Sequence, residues 1–502
     1  MGRLSFGGRS TTIGPYRGWM VDLVSLASEN NILSILPSAY YWVLEQHSLG
    51  SLFDGIPRPD GTVASLSSLD LRRCVVAREK LLSKQFQQGY TVGWVRWESE
   101  FSDNCTNSVQ CRRQRGLILT AFLAIRSDNV AFRILCSTIA LCECDFVLLA
   151  HQTLPRAIHA KVKLAKAPIR NTISGTSLAS PPPMSSPLAK RQRTENASIK
   201  RSERWLDDGN VVLQAGNTQF RVHWSILALH SSVFRDMQGL PQPPDQPTVD
   251  DCPIVELSGD DPEDVEHILK ALYIPKFHCQ TTLPLAVVGA FIRLGRKYDF
   301  KDLLDSAVAR IMSEFPATLK EYDTLIQLGG CMTIDRHRGW TIDSISLASE
   351  NNILSALPCA YYRALNQNGL GTLFDGIPRN DGTLASLSSP DLRKCVVARE
   401  KLLSKQMQEG YTFGWTREAS GDCTELELCR LARERLPRAF SDKPFLDAFS
   451  TASPDCLAPE YKLCRACTRH AIESMAAGRR KMWEELPAIF DLPPWGELKN
   501  DI

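Results

Sequence analysis

Two short runs, VVLQA at 211–215 and TQFRV at 218–222, alternate apolar and polar residues on either side of Gly216-Asn217. A period of two around a turn dipeptide predicts a β-hairpin. Directly after it the period lengthens. Ile226, Leu227, Leu229, Val233, Phe234 and Met237 recur at helical spacing, which predicts one amphipathic helix with a broad buried face and Ser225 placed to cap it. A proline-rich loop, PQPPDQPTVDDCP, leads into a short strand IVEL at 254–257 and a helix opening at Asp261-Pro262. Further helical patterns lie near 284–297 and 301–314. The order hairpin, helix, strand, helices places this segment in the α+β class.

The chain repeats itself on both sides of that segment. Arg17 to Trp94 aligns without a gap with Arg338 to Trp415 at a shift of 321 positions, and about 59 of the 78 positions are identical. The shared text includes SLASENNIL, LFDGIP and CVVAREKLLSKQ. Two copies separated by unrelated sequence cannot be neighbouring turns of a solenoid, so a duplicated module flanking an inserted one is the simpler account. In the second copy Ser389 is the N-cap candidate of a helix, with Pro390 at its first position and Asp391 as an early acid, and Gly410 lies past its end. Leu392, Cys395, Val396, Leu402 and Leu403 fall on one stripe, with Arg393, Lys394, Glu400 and Lys401 mostly off it. Pro358 opens another helix through CAYYRALNQ, and DGIPRNDG reads as a turn, so each module is predicted to be mainly α-helical. After residue 94 the copies diverge. Cys105 and Cys111 keep the spacing of Cys423 and Cys429, but the first copy degenerates after about residue 116 and lacks the closing RRKMWEELPAIFDLPPWGELK.

The resulting layout is a disordered start at 1–16, a helical module at 17–166, a linker at 167–203, an α+β domain at 204–325 and a second helical module at 326–502. The linker, SGTSLASPPPMSSPLAKRQRTENASIKRSER, has serine, proline and charge but almost no large apolar residues. Because Met184 opens a stretch with the character of a free N-terminus, 184–502 is expected to be a complete unit, with 1–183 adding little to its fold, as in a fused gene or an inaccurate gene model. The rival is a genuine two-tail protein.

The element order, together with DDGNVVLQAGNTQFRVHWSILALHSSVFRDM, resembles the BTB (POZ) domain. The family motif runs from an acidic residue and a strand through F-x-V-H to L-x-x-x-S-x-x-F. Here those positions are Asp208, Phe220, Val222, His223, Leu227, Ser231 and Phe234. The resemblance implies a small sheet flanked by helices, binding to protein partners and homo-oligomerisation through the domain. It also implies a buried charged pair of Asp208 and Arg221 at a dimer surface, although a partly exposed hairpin salt bridge fits the residues as well. RKYDFKDLLDSAVARI, followed by DLRKCVVAREKLL and MWEELPAIFDLPPW, is similar to the BTB-containing proteins abundant in mushroom-forming fungi, which carry one BTB domain and one helical tail.

Charge and chemistry narrow the function. Lys and Arg total 58 against 56 Asp and Glu, a net charge of +2, so no chain-wide field for nucleic acid exists and direct nucleic-acid binding is not expected. The apolar stretch from Asn129 to Ala150 contains Arg133, Glu143 and Asp145, which argues against a membrane span. Sixteen scattered cysteines and no apolar run of signal-peptide length at the start point to reduced thiols in the nucleus or cytoplasm. Lys190, Arg191 and Arg193 resemble a short nuclear-localisation signal. Cys464 and Cys467, with Cys456 and His470 nearby, offer four zinc ligands, but one C-x-x-C without a second is weak, and cysteine-rich helix packing is the preferred reading, with no metal or cofactor. His223 stands at a strand-to-helix junction without a nominated nucleophile, so it reads as structural and no catalytic residue is assigned. No Walker loop, dinucleotide fingerprint, H-E-x-x-H or G-x-S-x-G is present. The expectation is a non-enzymatic interaction protein with no small-molecule substrate. Its role is a nuclear, transcription-related regulator or, alternatively, a substrate adaptor of a cullin-type ubiquitin ligase. The loop from Gln238 to Cys252 lacks the hydrophobic-x-Glu pattern that such adaptors often carry.

Overall fold

The computed structural model describes residues 16–84, 199–240, 247–329, 333–417, 419–433, 446–451 and 463–501. The chain divides into two units. One comprises Met1–Ala167, Tyr361–Pro378 and Gly382–Glu497, and the other Pro168–Ala360, Arg379–Asp381 and Leu498–Ile502.

The second of these units, hereafter the central unit, carries a five-stranded sheet. Its order across the sheet is Lys200–Trp205, Thr218–Val222, Val211–Ala215, Cys252–Glu256 and Thr248–Val249. The predicted hairpin forms, with Val211 opposite Val222 and Ala215 opposite Thr218, and Gly216 takes the positive φ of 53° that the turn needs. The predicted single helix is two. Trp224–His230 and Ser232–Gln238 are separated by Ser231, whose backbone is extended at φ −136° and ψ 123°. Ser225 is not the cap. Asn210 Oδ1 accepts the Trp224 N–H at 2.8 Å, and Ser231 Oγ caps the second helix by accepting the Phe234 N–H at 3.0 Å. The break resets the helical phase, so Leu227 and Phe234 are buried while Leu229, expected inside, is 67% exposed.

The strand Lys200–Trp205 begins inside the stretch read as linker. Its text, KRSERW, has no apolar alternation, and what holds it is main-chain pairing, parallel to Thr218–Val222, with the Arg201 guanidinium 4.2 Å from the Trp205 ring centre. Such a strand is visible only once its neighbour exists. Helices Pro262–Tyr273, Leu285–Tyr298 and Lys301–Glu314 lie where the periodicity places them, and Asp261 caps the first of these. Leu285–Tyr298 is buried nearly all round, through Val287, Val288, Ala290, Phe291, Ile292 and Leu294. Its Arg293 still reaches Asp264 with two hydrogen bonds of 2.7 Å, locking it to the neighbouring helix.

The central unit does not end near residue 325. Leu283 pairs with Ile334, and the Phe315 ring stacks on Trp340 at 5.4 Å between centres. Glu314 is fully buried, receiving the Thr333 N–H at 2.9 Å and Arg336 at 3.0 Å. A buried carboxylate stripped of such partners is costly. A fragment spanning 199–325 is therefore expected to be less stable than one spanning 199–360 by roughly 2–4 kcal/mol in urea unfolding. Equal midpoints and slopes for the two fragments would show that residues 333–360 are dispensable.

In the other unit the first repeat supplies helices Trp19–Glu29, Leu36–Gln46, Leu49–Asp54 and Ser68–Lys84, with a two-residue ribbon pairing Ile56–Pro57 with Val63–Ala64. The second repeat supplies the matching Leu370–Asp375, the ribbon of Ile377–Pro378 with Leu384–Ala385, and Ser389–Lys405. Each long helix opens on a buried aspartate. Asp70 accepts from Ser67 at 2.6 Å and Tyr40 at 2.5 Å, and Asp391 accepts from Ser388 at 2.6 Å and from the Tyr361 hydroxyl. The helix cap is Ser388, one residue before the expected Ser389.

The two repeats pack against each other through equivalent residues. Arg72 pairs with Asp375, and its counterpart Arg393 pairs with Asp54 through two bonds of 2.6 Å. Arg78 pairs with Glu400, and its counterpart Arg399 lies 3.0 Å from Glu79. Phe53 meets its own equivalent Phe374 at 6.0 Å between ring centres. Residue i of one repeat touching j of the other, and j of the first touching i of the second, is the signature of an isologous interface. Residues 16–84 thus contribute tertiary structure, contrary to the expectation that 1–183 add little. The C-terminal helix Arg465–Glu484 packs against 411–412 at Gly478, where a Cβ would come within 2.2 Å of the Tyr411 carbonyl carbon.

Candidate functional site

Most motif residues of the central unit are spent on its interior. Phe220, Val222, Leu227, Ser231 and Phe234 are all buried. The Phe234 ring lies 5.1 Å from Tyr298 and 5.9 Å from Phe300. The Ser231 hydroxyl, besides capping the helix, donates to the Tyr298 carbonyl, fastening the helix pair to the end of Leu285–Tyr298. This motif therefore specifies a fold.

His223 sits at the junction of strand and helix. Its backbone N–H donates to the Tyr273 hydroxyl at 2.9 Å, Nδ1 lies 3.1 Å from the same oxygen, and Nε2 lies 3.2 Å from Asp208. Both ring nitrogens are thus occupied, Nδ1 by the Tyr273 hydroxyl and Nε2 by Asp208. Burial pushes the Tyr273 hydroxyl above its ordinary range, against the pull of the His223 N–H, so it stays protonated. Here the ring ties a strand end to a helix. The Asp208–Arg221 pair is not formed, since Asp208 faces His223 and Arg221 Nε donates to the Gly209 carbonyl at 2.9 Å.

The structure brings together two of the four candidate metal ligands, in different company. Cys464 and Cys467 meet Cys423 and Cys429, with all four sulfurs within 4.8 Å of one another. Cys456 lies outside the described residues, and His470, further along the Arg465–Glu484 helix, is not one of the group. The N–H groups of Cys467 and Thr424 hold the Cys464 thiol down to about 5. The C-x-x-C pair was legible in the sequence. Its partners were not, because 35 residues separate Cys429 from Cys464 and 41 separate Cys423 from Cys464. Lys190, Arg191 and Arg193, and the apolar stretch from Asn129 to Ala150, lie outside the described residues. Among the described residues no helix is long and apolar enough to cross a membrane.

The family model of the BTB/POZ domain matches residues 202–313. No curated protein and no solved structure matches the chain. The central unit therefore contains a BTB domain, a protein-interaction module that is not typically catalytic, and helical segments precede and follow it in the sequence.

Proposed function

We propose that the chain is a non-enzymatic interaction protein that self-associates through its BTB domain and acts in the nucleus as a transcription-related regulator. The observation that carries the reading is the BTB domain, a protein-interaction module whose motif residues are buried in its own interior. The polar edge strand Lys200–Trp205, paired on one side only within its sheet, supports self-association, since an open edge can template a second strand. The nuclear part rests on the basic run Lys190, Arg191 and Arg193 just before that strand.

Two measurements on the full chain test this. Light scattering coupled to gel filtration is expected to give at least twice the monomer mass of 56.0 kDa. A fluorescent fusion is expected to accumulate in nuclei and to lose that accumulation when Lys190, Arg191 and Arg193 are changed together to alanine. Co-purifying chromatin or corepressor peptides would support the regulator, whereas cullin peptides would replace it with the adaptor role. A strict monomer would remove self-association.

A further inference from the structure

We infer that Cys423, Cys429, Cys464 and Cys467 bind one structural zinc ion per chain. Four zinc–thiolate bonds of about 2.3 Å in a tetrahedron put the sulfurs about 3.8 Å apart. The sulfurs of Cys423 and Cys464 are 4.0 Å apart, and all four fall within 4.8 Å. A disulfide needs sulfurs at about 2.0 Å, and none of the four cysteines is bonded to another. Unrelated packing does not gather four thiols around one point, and soft thiolate donors in a closed set of four select zinc.

The surroundings fit the charge of such a centre. Zinc with four thiolates carries a net charge of about −2, which needs nearby donors. Cys464 is the N-cap of the 20-residue helix Arg465–Glu484, so the positive end of the helix dipole faces the cluster. The Cys467 N–H donates to Cys464 Sγ at 3.5 Å, and the Cys464 N–H to Cys429 Sγ at 3.1 Å. Cys429, Cys464 and Cys467 are buried, and Cys423 is half-buried. With all four positions filled by protein, the ion has no place for water or substrate, so its work is structural. It fastens the stretch around 423–429 to the start of the C-terminal helix across a gap of 41 residues. Cys105 and Cys111, the first repeat's counterparts of Cys423 and Cys429, lie outside the described residues.

The test uses the full chain, purified without chelator from cells supplied with zinc. Elemental analysis is expected to find about one zinc per chain, released by a mercurial thiol reagent. Cobalt(II) added to metal-stripped protein is expected to give the strong visible bands of tetrahedral thiolate coordination, abolished by adding zinc. Cys423→Ser and Cys464→Ser should each weaken zinc binding at least about tenfold in competition with a chromophoric chelator. Cys252→Ser, in the BTB sheet, should not. Because a ligand variant can misfold, the unmodified chain decides. Zinc far below one per chain, iron in its place, or the four cysteines recovered as two disulfides would overturn the inference.

Discussion

Replacing Phe234 with alanine is expected to lower the stability of the BTB unit by about 3–5 kcal/mol. The side chain is 1% exposed and fills the space between Tyr298 and Phe300, so truncation removes both apolar burial and two ring contacts. Collapse of the cavity is resisted from both sides. Ser231 is bound to the Tyr298 carbonyl, and the Leu285–Tyr298 helix that would have to move is itself held by Arg293 on Asp264. Leu229→Ala, five residues earlier on what looked like the same face, should change stability by less than about 0.5 kcal/mol because its side chain is in solvent. Urea unfolding of the 199–360 fragment measures both. Similar losses for the two variants would mean that the break at Ser231 is wrong and the helix runs through.

Glu400→Arg is expected to destabilise the paired repeats by roughly 3 kcal/mol, because it sets a second guanidinium against Arg78 in a site from which most water is excluded. The Arg78 and Glu400 side chains are only 10% and 16% exposed, unlike the outer pair Arg72–Asp375, whose reversal should cost far less. The informative measurement is the double change, Arg78→Glu with Glu400→Arg, which restores opposite charges and should recover most of the loss in thermal melting of the full chain. An additive double mutant would mean that the two repeats do not touch there. The same experiment bears on residues 1–183, since a first repeat that were a passive remnant could not rescue a mutation in the second.

What the sequence by itself determined was whatever is local in chain distance. The α+β class, the hairpin at 211–222, the three helices after Asp261 and the long helix from Ser389 are written in periodicities of two and of 3.6 and in capping residues, all set within a few positions. The BTB motif was legible for the same reason, since its residues span fewer than thirty positions and are mostly buried in one interior. Only tertiary structure decided the rest. Whether Leu229 points in or out depended on Ser231 finding the Tyr298 carbonyl 67 residues away, and the strand at Lys200–Trp205 exists because a neighbour offers it hydrogen bonds. Glu314 moved the domain boundary by drawing in Thr333 and Arg336. The 321-residue shift showed that two repeats exist, but not that Arg78 of one would face Glu400 of the other. The C-x-x-C was likewise half of a site whose other half the fold delivers from 35 and 41 residues upstream. Periodicity records which face of an element is apolar. It carries no information about which distant element will cover that face, because that choice is made by packing and by the need to pair buried polar groups.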